Sequence, residues 1–165
     1  MPRIRVWPDG ILRVVCDPVG DGEDIDSLLE DLFSVAHQND LLGLAANQIG
    51  VSKRVFVWRR RLGKTQYFDV AINPRIVHAS PVKVGADEGC ASLPGLTVFV
   101  SRPRYIEVEY EDVDRVLQRE GLEFPEAAIF QHELDHLNGK YIVDYLDLQQ
   151  RERALRDWIM ARRKR

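Results

Sequence analysis

The sequence predicts an α+β domain in which mostly antiparallel strands pack around one central helix, with further helices near the N-terminus and the C-terminus. Apolar residues recur at helical spacing in three separate segments, whereas short runs of β-branched and aromatic residues are bounded by polar turns. With 165 residues, 45% of them hydrophobic, the chain can bury one core. Residues 1–165 are therefore predicted to form a single domain.

The N-terminal helix and the strands follow from their own patterns. Apolar side chains recur at helical spacing from Ile25 to Val35, and Asp24 or Asp26 can cap a helix that ends near residue 38. Strands are predicted at residues 54–58, 67–72, 96–100 and 105–110. The basic run at residues 59–61 is predicted to be a solvated turn between two strands.

The central helix is predicted over residues 125–138. Pro125 suits the start of a helix, and the Asn-Gly pair that ends at Gly139 suits its end. Ala128 and Ile129 lie about one turn before the first histidine of this helix, so they should form an apolar wall beside it.

This helix carries the pattern H-E-x-x-H. His132 and His136 are four residues apart and project from one helix face, so they can bind one metal ion while Glu133 reaches its open side. The alternative is a pair of solvated surface histidines. The apolar neighbours favour the metal site, and a hydrolytic ion usually takes three protein ligands and leaves a position for water.

The third ligand must lie outside the pattern. The position at which metzincins carry a third histidine is Ile142, and the downstream carboxylates Asp144, Asp147 and Glu152 have no convincing spacing. Cys90 competes better, because a glycine precedes it and a Leu-Pro-Gly turn signal follows shortly after it.

Three segments together resemble the peptide deformylases, metal hydrolases that remove the N-formyl group from nascent polypeptides. Residues 43–48 (GLAANQ), 88–92 (EGCAS) and 131–136 (QHELDH) resemble the family motifs G-x-G-φ-A-A-x-Q, E-G-C-L-S and Q-H-E-x-D-H. Their order and spacing agree, and residues 7–19 resemble the N-terminal segment of the family. The resemblance covers nearly the whole chain.

The resemblance implies a complete hydrolytic site. A divalent ion would activate a water molecule, which attacks the formyl carbon. The implied ligands are Cys90, His132 and His136. Glu133 would act as general base and then as acid, while the Gln48 side-chain amide and the Ala91 backbone N–H would stabilise the oxyanion. Gln48 could instead only hold a loop in place.

The identity of the ion depends on which argument is used. A site with one cysteine and two histidines suits zinc, and such a site should bind zinc more tightly than iron(II). The resemblance implies iron(II), with nickel, cobalt or zinc as substitutes. Glu88 and Asp135 are candidates to accept the second N–H of the ligating imidazoles, although Asp135 has an alternative partner in Arg102.

The resemblance also implies a pocket for the methionine side chain of the substrate. The residues expected to line it are Leu42, Gly43, Ala128 and Ile129. Three positions differ from the usual family pattern: Leu41 replaces a glycine, Ala91 replaces a leucine, and Ala128 is small. These differences bear on the choice of substrate side chain more than on the chemistry.

Composition bears on compartment and partners. The net charge of −3 gives no strong attraction to DNA or membranes, and no apolar run approaches the roughly 18 residues that a membrane span needs. The N-terminal residues do not lead into a signal peptide, so we expect a cytoplasmic protein with reduced thiols. Cys16 is then expected to be an inert core residue.

A basic C-terminal helix is predicted over residues 149–165. Leu148, Leu155, Trp158 and Ile159 recur near helical spacing and should dock on the domain, while basic side chains remain exposed. The simplest interpretation is a solvated terminal helix. The resemblance instead suggests contact with ribosomal RNA through phosphates.

Two other functions stay open. A zinc peptidase shares H-E-x-x-H but needs a downstream third ligand and has no use for Cys90. A deformylase-like protein with an altered substrate range or little turnover would keep the ion, and Leu41 and Ala91 leave room for it. Glu133 argues against the second, because a purely structural metal site needs no general base.

Overall fold

The computed structural model describes residues 2–163. The helices are α1 (Asp26–Gln38), α2 (Glu126–Leu137) and α3 (Leu148–Arg163), with 3₁₀ turns at Gly10–Arg13, Ala46–Ile49 and Ile142–Tyr145. The strands are β1 (Gly43–Ala45), β2 (Val55–Leu62), β3 (Thr65–Ala79), β4 (Lys83–Gly89), β5 (Thr97–Pro103), β6 (Tyr105–Glu111) and β7 (Leu117–Glu123).

All named strand pairs are antiparallel. Five strands form one sheet in the order β1-β2-β3-β6-β7, and β4 and β5 form a separate two-stranded ribbon. Helix α2 packs against strands of both sheets. The predicted α+β class, with antiparallel strands around a central helix, is confirmed.

Alternation along β2 divides the core between two helices. Phe56 and Trp58 pack with Phe130 of α2, whereas Val55 and Val57 pack in the apolar cluster that contains α1. Successive side chains of a strand point to opposite faces, so one strand supports both layers. The large sheet therefore holds α2 on one face and α1 on the other.

Helix α2 has nearly the predicted bounds. Pro125 immediately precedes it, and Asn138 caps its C-terminal end. Gly139 follows with a φ of +69°, and a β-carbon there would lie 2.5 Å from the Arg13 carbonyl oxygen. Glycine at this position lets the chain leave the helix against the N-terminal segment.

Helix α1 begins at Asp26, within one residue of the starts that the two predicted caps imply, but neither Asp24 nor Asp26 is its N-cap. Ile25 occupies the N-cap position and makes no side-chain cap bond. Asp24 instead accepts a hydrogen bond from the Asp26 N–H, at 3.0 Å.

The four predicted strands exist with longer bounds, and three strands were missed. Strand β1 has only three residues, and β4 contains two glycines and no fully buried side chain. Strand β7 has one buried residue, Leu122. Strands with so little apolar alternation exist because a partner strand pairs with them, which a local pattern does not report.

The prediction of a turn at residues 59–61 is wrong. Arg59, Arg60 and Arg61 continue β2, and the turn comes after Leu62. Arg60 lies on the packed face, where Glu120 accepts two hydrogen bonds from it at 2.7 and 2.8 Å. A paired carboxylate lets the strand bury a charge there.

Helix α3 docks through part of the predicted apolar set. Trp158 is buried and donates a hydrogen bond from Nε1 to the Pro94 carbonyl at 3.0 Å, and Leu155 and Ile159 pack in the same cluster. Leu148 does not dock, since 67% of it is exposed. The last two residues of the predicted helix lie outside the described residues. Within residues 2–163, no helix combines the length and apolarity needed to cross a membrane.

Candidate metal centre

Three side chains with metal-ligating atoms meet between α2 and the end of β4. Cys90 directly follows β4, and His132 and His136 lie one turn apart on α2. One ligand atom from each lies within 4.8 Å of the other two, and the Cys90 sulfur is 3.2 Å from His136 Nε2. The predicted ligands are thus brought together in space.

The surroundings of Cys90 favour its thiolate. Burial by itself raises the pKa of Cys90, but the charge of His136 and hydrogen bonds with His132 and His136 outweigh it and hold the pKa well below the ordinary value. For His132, burial disfavours the charged imidazolium and so lowers the pKa, but hydrogen bonds with Cys90 and Glu88 outweigh burial and raise the pKa well above the ordinary value. Protons and a divalent cation therefore compete for the same atoms.

An ion-pair network contacts His132 at its Nδ1 atom. Glu88 Oε2 lies 2.9 Å from His132 Nδ1, and Arg102 donates hydrogen bonds of 2.6 and 2.9 Å to the two oxygens of Glu88. Arg102 also binds Asp135 at 2.8 Å, and Tyr145 donates a hydrogen bond to Asp135 at 2.7 Å. Of the two carboxylates expected to accept an imidazole N–H, Glu88 is the one that contacts His132. Asp135 instead binds Arg102 and Tyr145, which is the alternative, architectural partner set. Holding Nδ1 leaves the Nε2 of His132 for an ion.

Glu133 is a buried carboxylate beside this cluster. Its Oε2 has no hydrogen-bond partner among the described residues. Burial raises the pKa of Glu133 to about 7, although the charges of His132 and His136 act to lower it. A β-carbon at Gly43 would lie 2.4 Å from Glu133 Oε1, so glycine in β1 leaves the space that the carboxylate occupies.

Gln48 has a fixed orientation opposite α2. Its Oε1 accepts a hydrogen bond from the Ala45 N–H at 2.9 Å, while its Nε2 lies 3.2 Å from Ser92 Oγ and 3.7 Å from the Cys90 sulfur. The loop-holding role and the orientation of the N–H donors toward the cluster therefore coexist. Among the hydrogen bonds of residues 2–163, none uses the backbone N–H of Ala91.

A cleft of about 650 Å³ opens onto the cluster. Its lining includes all of the residues predicted for the substrate pocket: Leu42, Gly43, Ala128 and Ile129. Leu41 also lines it, with its backbone N–H bonded to the Ala36 carbonyl at 3.0 Å and its side chain partly buried against the α1 cluster. The replacement of a family glycine by Leu41 is accommodated without a positive φ.

The sequence model of a protein family described as polypeptide deformylase matches residues 1–152 of this chain. The chain belongs to the polypeptide deformylase family. The peptide deformylase of Thermotoga neapolitana is 39% identical over 145 residues, 87% of this chain and 86% of the relative. That of Rhizobium meliloti is 36% identical over 165 residues, covering 97% and 93%. The crystal structure of peptide deformylase from Ehrlichia chaffeensis matches with a TM-score of 0.89 at 32% identity, over 99% of this chain and 97% of that chain.

Polypeptide deformylases are metal-dependent hydrolases, and the residues present here fit a divalent ion. A low-pKa thiol and two imidazoles are the donor types that such ions take, and three protein ligands leave one position open. A zinc peptidase would need a downstream carboxylate as third ligand, but within residues 2–163 the ligand cluster holds no carboxylate, and Asp144 binds Arg13 through two hydrogen bonds.

Sequence reasoning missed three polar contributors to this deformylase site. Asn47 donates a hydrogen bond to the His136 carbonyl at 2.7 Å, Ser92 contacts Gln48, and Tyr145 contacts Arg102 and Asp135. Asn47 and Ser92 lie inside the recognised motifs, where a polar residue between apolar neighbours is the signal that could have identified them.

Proposed function

We propose that this member of the polypeptide deformylase family hydrolyses the N-formyl group of the N-terminal methionine of nascent polypeptides and releases formate. The observation that carries the proposal is the position of Glu133, an isolated buried carboxylate between the ligand cluster and the open cleft. A purely structural metal site would have no use for it.

Glu133 moves the proton. A water molecule attacks the formyl carbon, and Glu133 accepts the proton that the water loses. The carbon–nitrogen bond then breaks, and Glu133 returns the proton to the leaving amine, so that formate and a free amino terminus result. A pKa of about 7 suits both steps near neutral pH.

Two donors stabilise the negative charge that develops on the formyl oxygen. The Gln48 side-chain amide directs an N–H toward the Cys90 sulfur, and no hydrogen bond of residues 2–163 uses the backbone N–H of Ala91; both observations support this role. A divalent ion held by Cys90, His132 and His136 would supply Lewis acidity and lower the pKa of a water toward neutrality.

The substrate side chain lies along the apolar wall of the cleft. Leu42, Ala128 and Ile129 would contact the methionine side chain, and Gly43 would let the peptide backbone approach Glu133. Ala91 and Ala128 leave more room than bulkier residues would, so formyl peptides with a larger first side chain should also be accepted.

Iron(II) is the ion we propose, with zinc, nickel or cobalt as substitutes. The family resemblance supports iron, although zinc would win on affinity for these ligands. Because Fe(II) and the Cys90 thiolate are both open to oxidation by dioxygen, iron-loaded protein should lose activity in air faster than zinc-loaded protein. Equal activity and equal endurance of the two forms would contradict the iron proposal.

Turnover of formyl-Met-Ala-Ser by iron-loaded protein prepared without oxygen tests the proposed function. Release of formate and of a free amine in equal amounts is the expected result. The same peptide with an N-acetyl group is the control, and a zinc peptidase would instead cleave the Met-Ala bond. Metal-loaded protein that releases no formate would contradict the proposal.

The reaction takes place in the cytoplasm, where nascent chains are made, and α3 can bring the enzyme to the ribosome. Arg153, Arg156 and Arg163 are exposed on α3. Arg151 lies 3.3 Å from Asp144, so its charge is partly neutralised. Phosphate contacts by these arginines would weaken as the salt concentration rises.

Removal of residues 149–165 should reduce co-sedimentation with ribosomes at low salt while short formyl peptides are still hydrolysed. Since the truncation also removes Trp158 from the core, a triple Arg153→Gln, Arg156→Gln, Arg163→Gln variant is the sharper test. Unchanged co-sedimentation of both variants would leave α3 a solvated helix.

A further inference from the structure

The basic run of β2 lies on the wall of the cleft, although the proposed reaction does not use it. Arg59, Arg60 and Arg61 all line the cleft that opens onto the ligand cluster. Consecutive strand residues point to alternate faces, so the three arginines have different surroundings.

Arg60 is neutralised within the fold. Its guanidinium binds both oxygens of Glu120 and lies 3.1 Å from Asp69, and only 17% of its side chain is exposed. It also lies 5.4 Å from the centre of the Trp58 ring. Arg60 therefore has little charge to offer a ligand.

Arg59 is partly neutralised. Its guanidinium lies 2.7 Å from Asp40, whose side chain is 88% exposed, and it packs over Phe68. Ion pairs this exposed to water are weak.

Arg61 differs from both, because its guanidinium has no ion-pair partner within residues 2–163. Its side chain is exposed. Its backbone is held, because Glu126 accepts a hydrogen bond from the Arg61 N–H at 2.9 Å. Gln66 pairs with Arg61 across the β2–β3 ladder and also lines the cleft, so an amide donor lies beside the guanidinium.

The carboxylates of the opposite wall do not cancel this charge. Glu88 is already bound to Arg102 and His132. Asp87 belongs to the exposed set of β4, opposite the exposed Phe99, whereas Ala86 and Glu88 belong to the half-buried set.

Two further carboxylates of the lining, Asp40 and Glu126, are engaged with β2: Asp40 pairs with Arg59, and Glu126 lies 3.7 Å from Arg60. Within residues 2–163, the exposed charged side chains of the lining that have no ion-pair partner are thus Asp87 and Arg61.

We infer that Arg61, with Gln66 beside it, makes the enzyme prefer formylated peptides that carry an acidic side chain after the first residue. This inference rests on the proposed function. The first side chain lies against α2 near His132, so the following residues leave the cleft over its exposed rim, where a carboxylate can meet the guanidinium. A cation at a binding cleft favours ligands of opposite charge, more strongly at low salt.

The test compares kcat/KM for formyl-Met peptides of five residues with glutamate, glutamine or lysine at position two, three or four. All peptides carry a C-terminal amide, so that only a side chain can supply the carboxylate; a parallel set with a free C-terminus measures the contribution of that carboxylate. At one position or more, glutamate should be preferred to glutamine by about two- to fivefold at low salt, the size that exposed ion pairs give. The preference should shrink as salt rises.

Arg61→Gln should abolish the preference and leave kcat/KM for the glutamine peptides unchanged, and Arg61→Lys should keep part of it. Arg104→Gln is the matched control, because Arg104 is also exposed but does not line the cleft. Equal rates for glutamate and glutamine at all three positions, or a preference that survives in Arg61→Gln, would overturn the inference and leave the proposed function intact. Failure to hydrolyse even the glutamine peptides would overturn both.

Discussion

Glu88, which is half-buried, and Glu133, which is buried, are two glutamates beside the same ligand cluster, and the fold gives them different surroundings. Burial raises the pKa of both. At Glu88, hydrogen bonds from His132 and Arg102 outweigh burial and bring the pKa down to about 2. At Glu133 no such partner is present among the described residues, and the pKa is about 7.

The difference shows that role follows from surroundings. A carboxylate with a pKa near 2 stays ionised and serves as a fixed acceptor that orients an imidazole. A carboxylate with a pKa near 7 can accept a proton and give it back. Arg102 of β5 reaches Glu88 of β4, whereas Glu133 of α2 lines the cleft and lies against the Gly43 backbone.

Replacing Glu133 should have the largest effect on turnover. Glu133→Ala should retain the ion, because Glu133 is not one of the three clustered ligands, and should lower kcat by about 10²–10⁴-fold, as expected for a positioned acid–base group. Metal content by elemental analysis and formate release are measured on the same sample. Glu133→Gln, which keeps the volume, should be equally impaired; a near-normal rate in either variant would refute the mechanism.

The two cysteines extend the comparison to thiols. Cys16 is buried among apolar residues, and burial raises its pKa to about 11, against the opposing effect of the Arg54 charge. Cys90 has histidines beside it and its pKa is lowered. Cys90→Ser should therefore lose most of the bound metal, as should His132→Ala and His136→Ala.

Cys16→Ser is the matched control and should keep both metal and activity. Elemental analysis after gel filtration measures the metal content of each variant. Loss of metal from Cys16→Ser, with retention in Cys90→Ser, would show that the wrong thiol has been assigned.

These contrasts mark what local sequence can predict. Helix α2 was predicted almost to the residue, because its apolar pattern, Pro125 and Gly139 are all local signals. The proximity of Cys90 to His136 rested on family resemblance, since the two come from a ribbon and a helix that are distant in the chain.

The charged partners of the site were harder to predict. Arg102 was paired with Asp135 in advance, but its double hydrogen bond to Glu88 depends on the register of β4 against β5. Strand β4 itself was missed. The pKa difference between Glu88 and Glu133 is therefore a property of tertiary structure, because it depends on which cations the fold places beside each carboxylate.

Glu88→Gln should weaken metal binding without removing the proton shuttle. Loss of a carboxylate behind a ligating histidine typically costs 10- to 100-fold in metal affinity. Competition with a chelator of known affinity measures the change, and kcat per bound ion should fall much less than in Glu133→Ala. Asp87→Asn, one residue away on the exposed set of β4, should leave the affinity unchanged. An affinity equal to that of the unmodified protein would show that Glu88 does not support His132.

The smallest effect concerns a third carboxylate, Glu120, which is held by an arginine as Glu88 is but touches no ligand. Burial raises its pKa, and hydrogen bonds from Arg60 and Tyr110 outweigh burial and lower it. A carboxyl group whose folded-state pKa lies below its unfolded value of about 4.3 stabilises the protein above that pH and loses the contribution as the pH falls through the folded-state pKa.

Glu120→Gln should therefore lower the free energy of unfolding at pH 7 by about 1 kcal/mol, the size of a partly exposed charged hydrogen bond. Its stability should also fall less steeply than that of the unmodified protein below pH values of about 5. Urea unfolding of the metal-free forms measures the free energy of unfolding and its change with pH, and without the ion its loss in acid does not contribute.

Glu123→Gln is the control, because Glu123 is 65% exposed and lies 3.6 Å from an equally exposed Arg104. Parallel pH curves for Glu120→Gln and the unmodified protein would mean that Arg60 does not lower the pKa of Glu120, and that only the arginine beside the ligand cluster acts in this way.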